Sequence, residues 1–200
     1  MPTQEHPGPR RKRGLPLTVA AIATLLVLAG AASPTASLSA PNARTAVAPG
    51  VTVLLAKQTK TAGCTLVALP DRQCSPGGYY KKLTKAVICS AGFRTSDYRH
   101  VPAAEKHQVE QEYGLAPKSY GSTLEIDHIV SLELGGSNDP ANLFPEEANV
   151  HPGYHVKDKL ENKLHQLVCA GTLNLRRTQR QIATNWISLY TKVFGSPPTG

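Results

Sequence analysis

Between positions 124 and 164 the chain reads LEIDHIVSLELGGSNDPANLFPEEANVHPGYHVKDKLENKL, and this stretch gathers the side chains best suited to chemistry. Asp127 adjoins His128, Asn142 follows a Gly-Gly-Ser-Asn-Asp-Pro turn, and His155 stands where a helical pattern begins. A carboxylate is a hard oxygen ligand for a divalent cation. An imidazole, with an unperturbed pKa of about 6.5, serves as base or ligand near neutrality. Together they suit phosphodiester hydrolysis, which needs a base to deprotonate water and a cation to hold charge on the leaving oxygen. The residues alone would place a hard ion such as Mg²⁺ on Asp127 and His155, with open positions for water and phosphate oxygens. His128 would then activate water, and Asn142 would hydrogen-bond across the loop to hold the strand ends in register.

The elements that must position these groups are legible as patterns. Leu124, Ile126, His128 and Val130 alternate with Thr123, Glu125, Asp127 and Ile129, the period-two signature of a strand. That period sends Asp127 and His128 to opposite sides, so a bend near them is required if both serve one site. From His155 the period lengthens. Val156, Leu160, Leu164, Leu167 and Val168 recur at three and four, between Gly153 and Gly171. Residues on a helix are about 100° apart, which separates a face bearing His155 from the apolar stripe. A second helix over residues 177–193 would turn Ile182, Ala183, Trp186, Leu189 and Tyr190 inward. Residues 102–113 predict a surface helix started by Pro102 and stopped by Gly114, with His107 solvated. Residues 51–56 form a short apolar run of open type, 63–69 read as a strand, and 81–90 as a short helix or extended piece.

Two hundred residues allow one domain plus a tail. The net charge of +8 favours polyanionic partners: nucleic acid, an anionic membrane surface or wall polymers. Part of that charge is Arg10-Arg11-Lys12-Arg13, which precedes an uncharged apolar run over residues 15–32 and then small residues. This is the pattern of a secretory signal cleaved between Ala31 and Ala40, and its length also permits an uncleaved membrane anchor. The expected organisation is therefore signal or anchor over 1–40, flexible linker over 41–62, domain over 63–194 and tail over 195–200. Residues 41–200 keep 18 Lys+Arg against 13 Asp+Glu, a net of +5. All four cysteines, Cys64, Cys74, Cys89 and Cys169, fall there. In an exported chain they predict disulfides, with three pairings open and a bridge at Cys169 tying the main helix to the N-terminal half. None forms a Cys-x-x-Cys pair, which argues against a zinc knuckle.

Asp127-His128-Ile129, Leu134-Gly135-Gly136, Asn138-Asp139-Pro140-Ala141-Asn142-Leu143 and His155 resemble the HNH nuclease motif of the ββα-metal (His-Me finger) superfamily. The likeness extends to exported actinobacterial HNH proteins through Cys74-Ser75-Pro76-Gly77, the Ile-Cys-x-x-Gly of residues 88–92, the Lys-Asp-x-x-Glu-Asn helix of 157–169 and the Ile-Ala-Thr-x-Trp of 182–186. It spans about residues 70–190. The resemblance implies an α+β, disulfide-stabilised domain with a ββα-metal centre and flanking helices. It implies a secreted endonuclease dependent on Mg²⁺, Mn²⁺ or another divalent ion, with DNA favoured over RNA as substrate. His128 matches the general base, Asn142 the middle Asn, and Asp127 a metal ligand. Counting from Asn142 places the third histidine at His151, whereas matching the helix start places it at His155, which fits a ββα geometry better.

Each residue has a plainer reading. An isolated Asp-His pair is most often a loop carboxylate beside a core imidazole, Asn142 alone is most often a turn residue, and Glu161 and Asn162 fit support for a metal ligand or a solvated helix face equally. Lys157, Lys81 and Lys82, with Lys85, Arg94, Arg99, Arg176, Arg177 and Arg180, are candidates for phosphate contacts. Any one of them is more often a solvated charge. Two rival functions stand beside the nuclease: a non-catalytic module binding nucleic acid or wall polymers through a degenerate HNH fold, and a structural domain in which Asp, His and Asn form a buried polar network.

Overall fold

The structure, a computed structural model, describes residues 50–150 and 152–199. The expected signal or anchor, residues 41–49 of the expected linker, His151 and Gly200 lie outside the described residues; the rest of that linker is described and includes the paired strand Thr52–Leu54. Among the described residues no helix is long and apolar enough to cross a membrane.

Helices and two small antiparallel sheets make an α+β fold. Strand β1 (Thr52–Leu54) pairs with β2 (Gly78–Tyr80), which is followed by the short helix α1 (Lys85–Ile88) and by α2 (Ala103–Glu112). Strand β3 (Leu124–His128) pairs with β4 (Leu143–Glu147), from Leu124 opposite Glu147 to His128 opposite Leu143. Helices α3 (Tyr154–Cys169) and α4 (Leu175–Phe194) close the chain. The alternation that predicts β3 and the three-four spacing that predicts α3 both reflect one-sided burial. Val156, Leu160, Leu164 and Val168 of α3 pack into one core with Phe144, Ile129, Ile88 and Trp186.

Residues 63–69, read as a strand, form none. Their backbone is pinned locally instead: Cys64 N–H donates to Glu112 O, Thr65 N–H to Asp71 Oδ2, and Cys64 is bonded to Cys74. The second disulfide joins Cys89, just past α1, to Cys169 at the end of α3, the expected tie between the main helix and the N-terminal half. Helix α2 is more embedded than its thin apolar face suggests. Glu110 is fully buried and accepts from Lys118 N–H and Tyr120 N–H, while its other partner, His107 Nδ1, lies at 2.8 Å. Burial pushes the Glu110 carboxyl up, but these bonds outweigh it and hold it below its ordinary value. Helix α4 also departs from a simple helix: Asn185 is extended (φ −166°, ψ 90°), so two helical segments meet there.

Candidate active site

The turn between β3 and β4 is built around Asn142. Its Oδ1 accepts from Gly78 N–H and Val130 N–H, each at 2.9 Å, and its Nδ2 donates to Val130 O and Ser137 O at 3.1 and 2.7 Å. The side chain is fully buried and its hydrogen-bonding capacity is spent. Asn142 therefore acts by clamping: it ties β2, the residues after His128 and the loop into one unit, as its register-holding role in the sequence reading requires. The loop itself depends on Gly135 and Gly136. Gly135 has φ +79°, and a Cβ on Gly136 would collide with the Val130 carbonyl.

This frame buries His128 to 5% exposure. Its Nε2 lies 2.9 Å from Asn138 Oδ1. Asn138 Nδ2 donates to Tyr98 O and His100 O at 2.8 and 3.0 Å, which orients the amide with its oxygen toward the imidazole. An oxygen there can only accept, so Nε2 carries the hydrogen and Nδ1 is left as the basic nitrogen. Burial lowers the His128 pKa below its ordinary value, against the opposing pull of Asp127 and Asn138. The ring is thus neutral at pH 7, the form a base requires.

Asp127 lies on the other side of the strand, as the alternation dictates. Its Oδ2 is 2.5 Å from Lys157 Nζ, and its side chain keeps 15% exposure. Lys157 also donates to His128 O at 2.9 Å and to Glu161 Oε1 at 2.6 Å, and lies 3.6 Å from Glu146 Oε2. Lys157 was expected among the phosphate contacts. Its side chain is only 1% exposed, so it cannot reach solvent, and its ammonium is committed to carboxylates and a backbone carbonyl. Burial opposes the charge on Lys157, but Asp127, Glu161 and Glu146 outweigh it and raise its pKa. Burial likewise pushes the Asp127 carboxyl up, and Lys157 and His128 bring it below its ordinary value. Glu161 is pushed up to about 8 by burial, and Glu146 well above its ordinary value, first by burial and then by neighbouring carboxylates. Three carboxyl groups thus surround one buried ammonium, which holds Asp127 below its ordinary value while burial raises Glu161 and Glu146.

His155 is exposed, and its ring lies tilted at 54° to that of Tyr154 with centroids 4.2 Å apart. It has no hydrogen bond or ion pair to Asp127 among the described residues. It does share a neighbourhood with Asp127: the Glu125 and Asp158 carboxyls are raised by burial and by Asp127, and lowered in part by His155 and Arg99. Lys81 and Lys82 are exposed just after β2. β3 stays in register with β4 through Asp127 and His128, so the two side chains keep to opposite sides of the strand. Lys157 pairs with Asp127 and donates to the His128 carbonyl, Asn142 holds the residues after His128, and His155 lies apart from the imidazole, exposed on α3. Asn138, Glu146 and Lys157 are the members whose roles the sequence reading missed. The four-residue spacing of Lys157 and Glu161 is the visible sign of one of them.

Among the described residues one group of possible ligands has its atoms close together, Cys89, His165 and Cys169, all within 4.8 Å of one another. Both sulfurs are in a disulfide, so neither is the thiolate a metal needs. No family model, no curated protein and no solved structure matches the chain.

Proposed function

We propose that this chain is an exported endonuclease in which β3, β4 and α3 form a ββα-metal centre that hydrolyses nucleic-acid phosphodiesters. The observation that carries this reading is His128: a buried imidazole, neutral at pH 7, with Nε2–H anchored on Asn138 and Nδ1 left basic. A fixed tautomer presented on a rigid strand is what general-base chemistry requires. His128 Nδ1 takes the proton of an attacking water; Asn142 keeps strand and loop in register; Lys157 holds one oxygen of Asp127 in place.

A divalent cation would draw on Asp127, whose other oxygen is free of the Lys157 pair, and on the exposed imidazole of His155. Glu125 and Asp158 add carboxyls to this neighbourhood, both raised first by burial and then by Asp127, and lowered in part by His155. Asp127 and His155 would hold such an ion, leaving open positions for water and phosphate oxygens. When bound it supplies a positive charge that offsets charge developing on the leaving oxygen.

Purified protein is expected to nick supercoiled plasmid in Mg²⁺ or Mn²⁺, and EDTA or His128→Ala to abolish nicking. Wild-type protein inactive on DNA and RNA across several divalent ions would overturn the proposal. The Asp127–Lys157 pair favours one rival, a structural domain in which the polar cluster serves folding alone. Absence of calorimetric heat on adding divalent ions, together with absence of nicking, would select it.

A further inference from the structure

Helix α4 carries Arg176, Arg177, Arg180 and Lys192, and from Ala170 to the end of the chain there is no Asp or Glu. Three of these four cations are available. Arg176 is committed elsewhere: its guanidinium lies 3.8 Å over the Tyr79 ring and donates to Gln179 Oε1. Arg177, Arg180 and Lys192 are exposed, and none has an ion-pair partner among the described residues. They fall on one side of the helix with Gln181, Thr184 and Ser188, opposite the buried Ile182, Ala183 and Trp186.

The break at Asn185 makes this side concave. Asn185 Oδ1 accepts from Ser188 N–H, so the second helical segment starts anew at an angle to the first. The hollow there, of about 360 Å³, is lined by all three cations, Gln181, Ser188 and Leu189, and by Thr184, whose hydroxyl donates to Arg180 O at 2.7 Å. At Arg177 it meets a second hollow, of about 620 Å³, whose lining includes Lys85, Thr84 and Asn174. Cations and neutral polar side chains, with Leu173, Leu175 and Leu189 between them, line a track from Lys85 to Lys192, with no carboxylate in either lining. Between Arg177 and Lys192 an unbroken helix would rise roughly 22 Å.

We infer that this concave face of α4 is a phosphate-backbone groove that holds nucleic acid, a binding surface separate from the residues around His128. The inference rests on the nuclease reading for its choice of polyanion. Charge complementarity carries it: spaced cations without competing acids, interleaved with Ser188 and the Gln181 amide, match a phosphodiester chain and give affinity without sequence preference.

The test is fluorescence anisotropy with a labelled 30-mer, single-stranded and duplex, in EDTA so that turnover plays no part. The variant Arg177→Gln/Arg180→Gln/Lys192→Gln is compared with Lys57→Gln/Lys60→Gln/Lys118→Gln, which removes the same charge from exposed positions elsewhere. Circular dichroism verifies the fold of each. The groove variant is expected to bind at least about tenfold more weakly near 0.1 M salt, and its slope of log K against log salt should shrink by about 2–3 for duplex, near 0.9 per lost phosphate contact. The control should change less than threefold. Equal losses in the two variants would mean bulk charge alone and would overturn the groove, as would no loss in either. Retained DNA binding with loss of binding to anionic lipid vesicles would overturn it in favour of a membrane surface. Groove-dependent binding by a protein that never nicks DNA would sink the nuclease reading and leave the groove standing. Nicking that ignores the groove variant, with binding unchanged, would do the reverse.

Discussion

His128 is defined as much by Asn138 as by itself. A neutral imidazole has two tautomers, and an exposed one exchanges between them; a fixed amide oxygen selects one. Burial lowers the His128 pKa, so the protonated, inactive form should accumulate only below the ordinary value of 6.5. The acid limb of the nicking rate is therefore expected below pH 6.5, with activity rising as pH rises through it. In Asn138→Asp the new carboxylate should stabilise the imidazolium and move that limb to higher pH. Asn138→Ala should lower kcat on the order of 10–100-fold with little change in KM. Rate profiles of the three proteins check this, and an unmoved limb in Asn138→Asp would show that the two side chains do not interact in solution.

Among elements, the decisive contact is between α3 and the β3–β4 pair. Lys157 sits one turn into the helix and reaches back to Asp127 and His128 O on β3 and toward Glu146 on β4. Removing a buried ammonium leaves Asp127 without its counter-charge, and breaking such a pair costs about 3–5 kcal/mol. Urea denaturation of Lys157→Met should show a loss of that order. Asp127→Asn/Lys157→Met should lose less than the sum of the single changes, because the two residues are coupled. An additive result would mean that the ion pair contributes nothing beyond its parts. The same contact explains why Lys157 is a poor candidate for gripping phosphate: its charge is already used inside the protein.

At the scale of the molecule, Cys89–Cys169 closes a loop across 80 residues that includes α2, β3, β4 and α3. A cross-link over that span stabilises by about 4 kcal/mol through the entropy it removes from the unfolded chain. Cys89→Ser/Cys169→Ser is expected to lower stability by about that amount in urea denaturation. A change below 1 kcal/mol would show that the core alone holds α1 to α3.

The sequence by itself determined β3, α3 and most of α4, because one-sided burial imprints its period on local residue order: Ile126 and His128 alternate, and Val156, Leu160 and Leu164 recur. It also determined that Asp127 and His128 face opposite ways and that Asn142 closes the turn. It did not determine what those side chains meet. Asn138 looked like a turn residue, Lys157 like a surface cation, residues 63–69 like a strand and α4 like an unbroken helix. The first three were decided by groups distant in sequence: the Tyr98 and His100 carbonyls that orient Asn138, the Asp127 and Glu146 carboxyls that help enclose Lys157, and Glu112 O and the Cys74 sulfur that pin the loop at Cys64. Partners of that kind are set by packing, where desolvation and hydrogen bonding act between elements, and local periodicity carries no record of them.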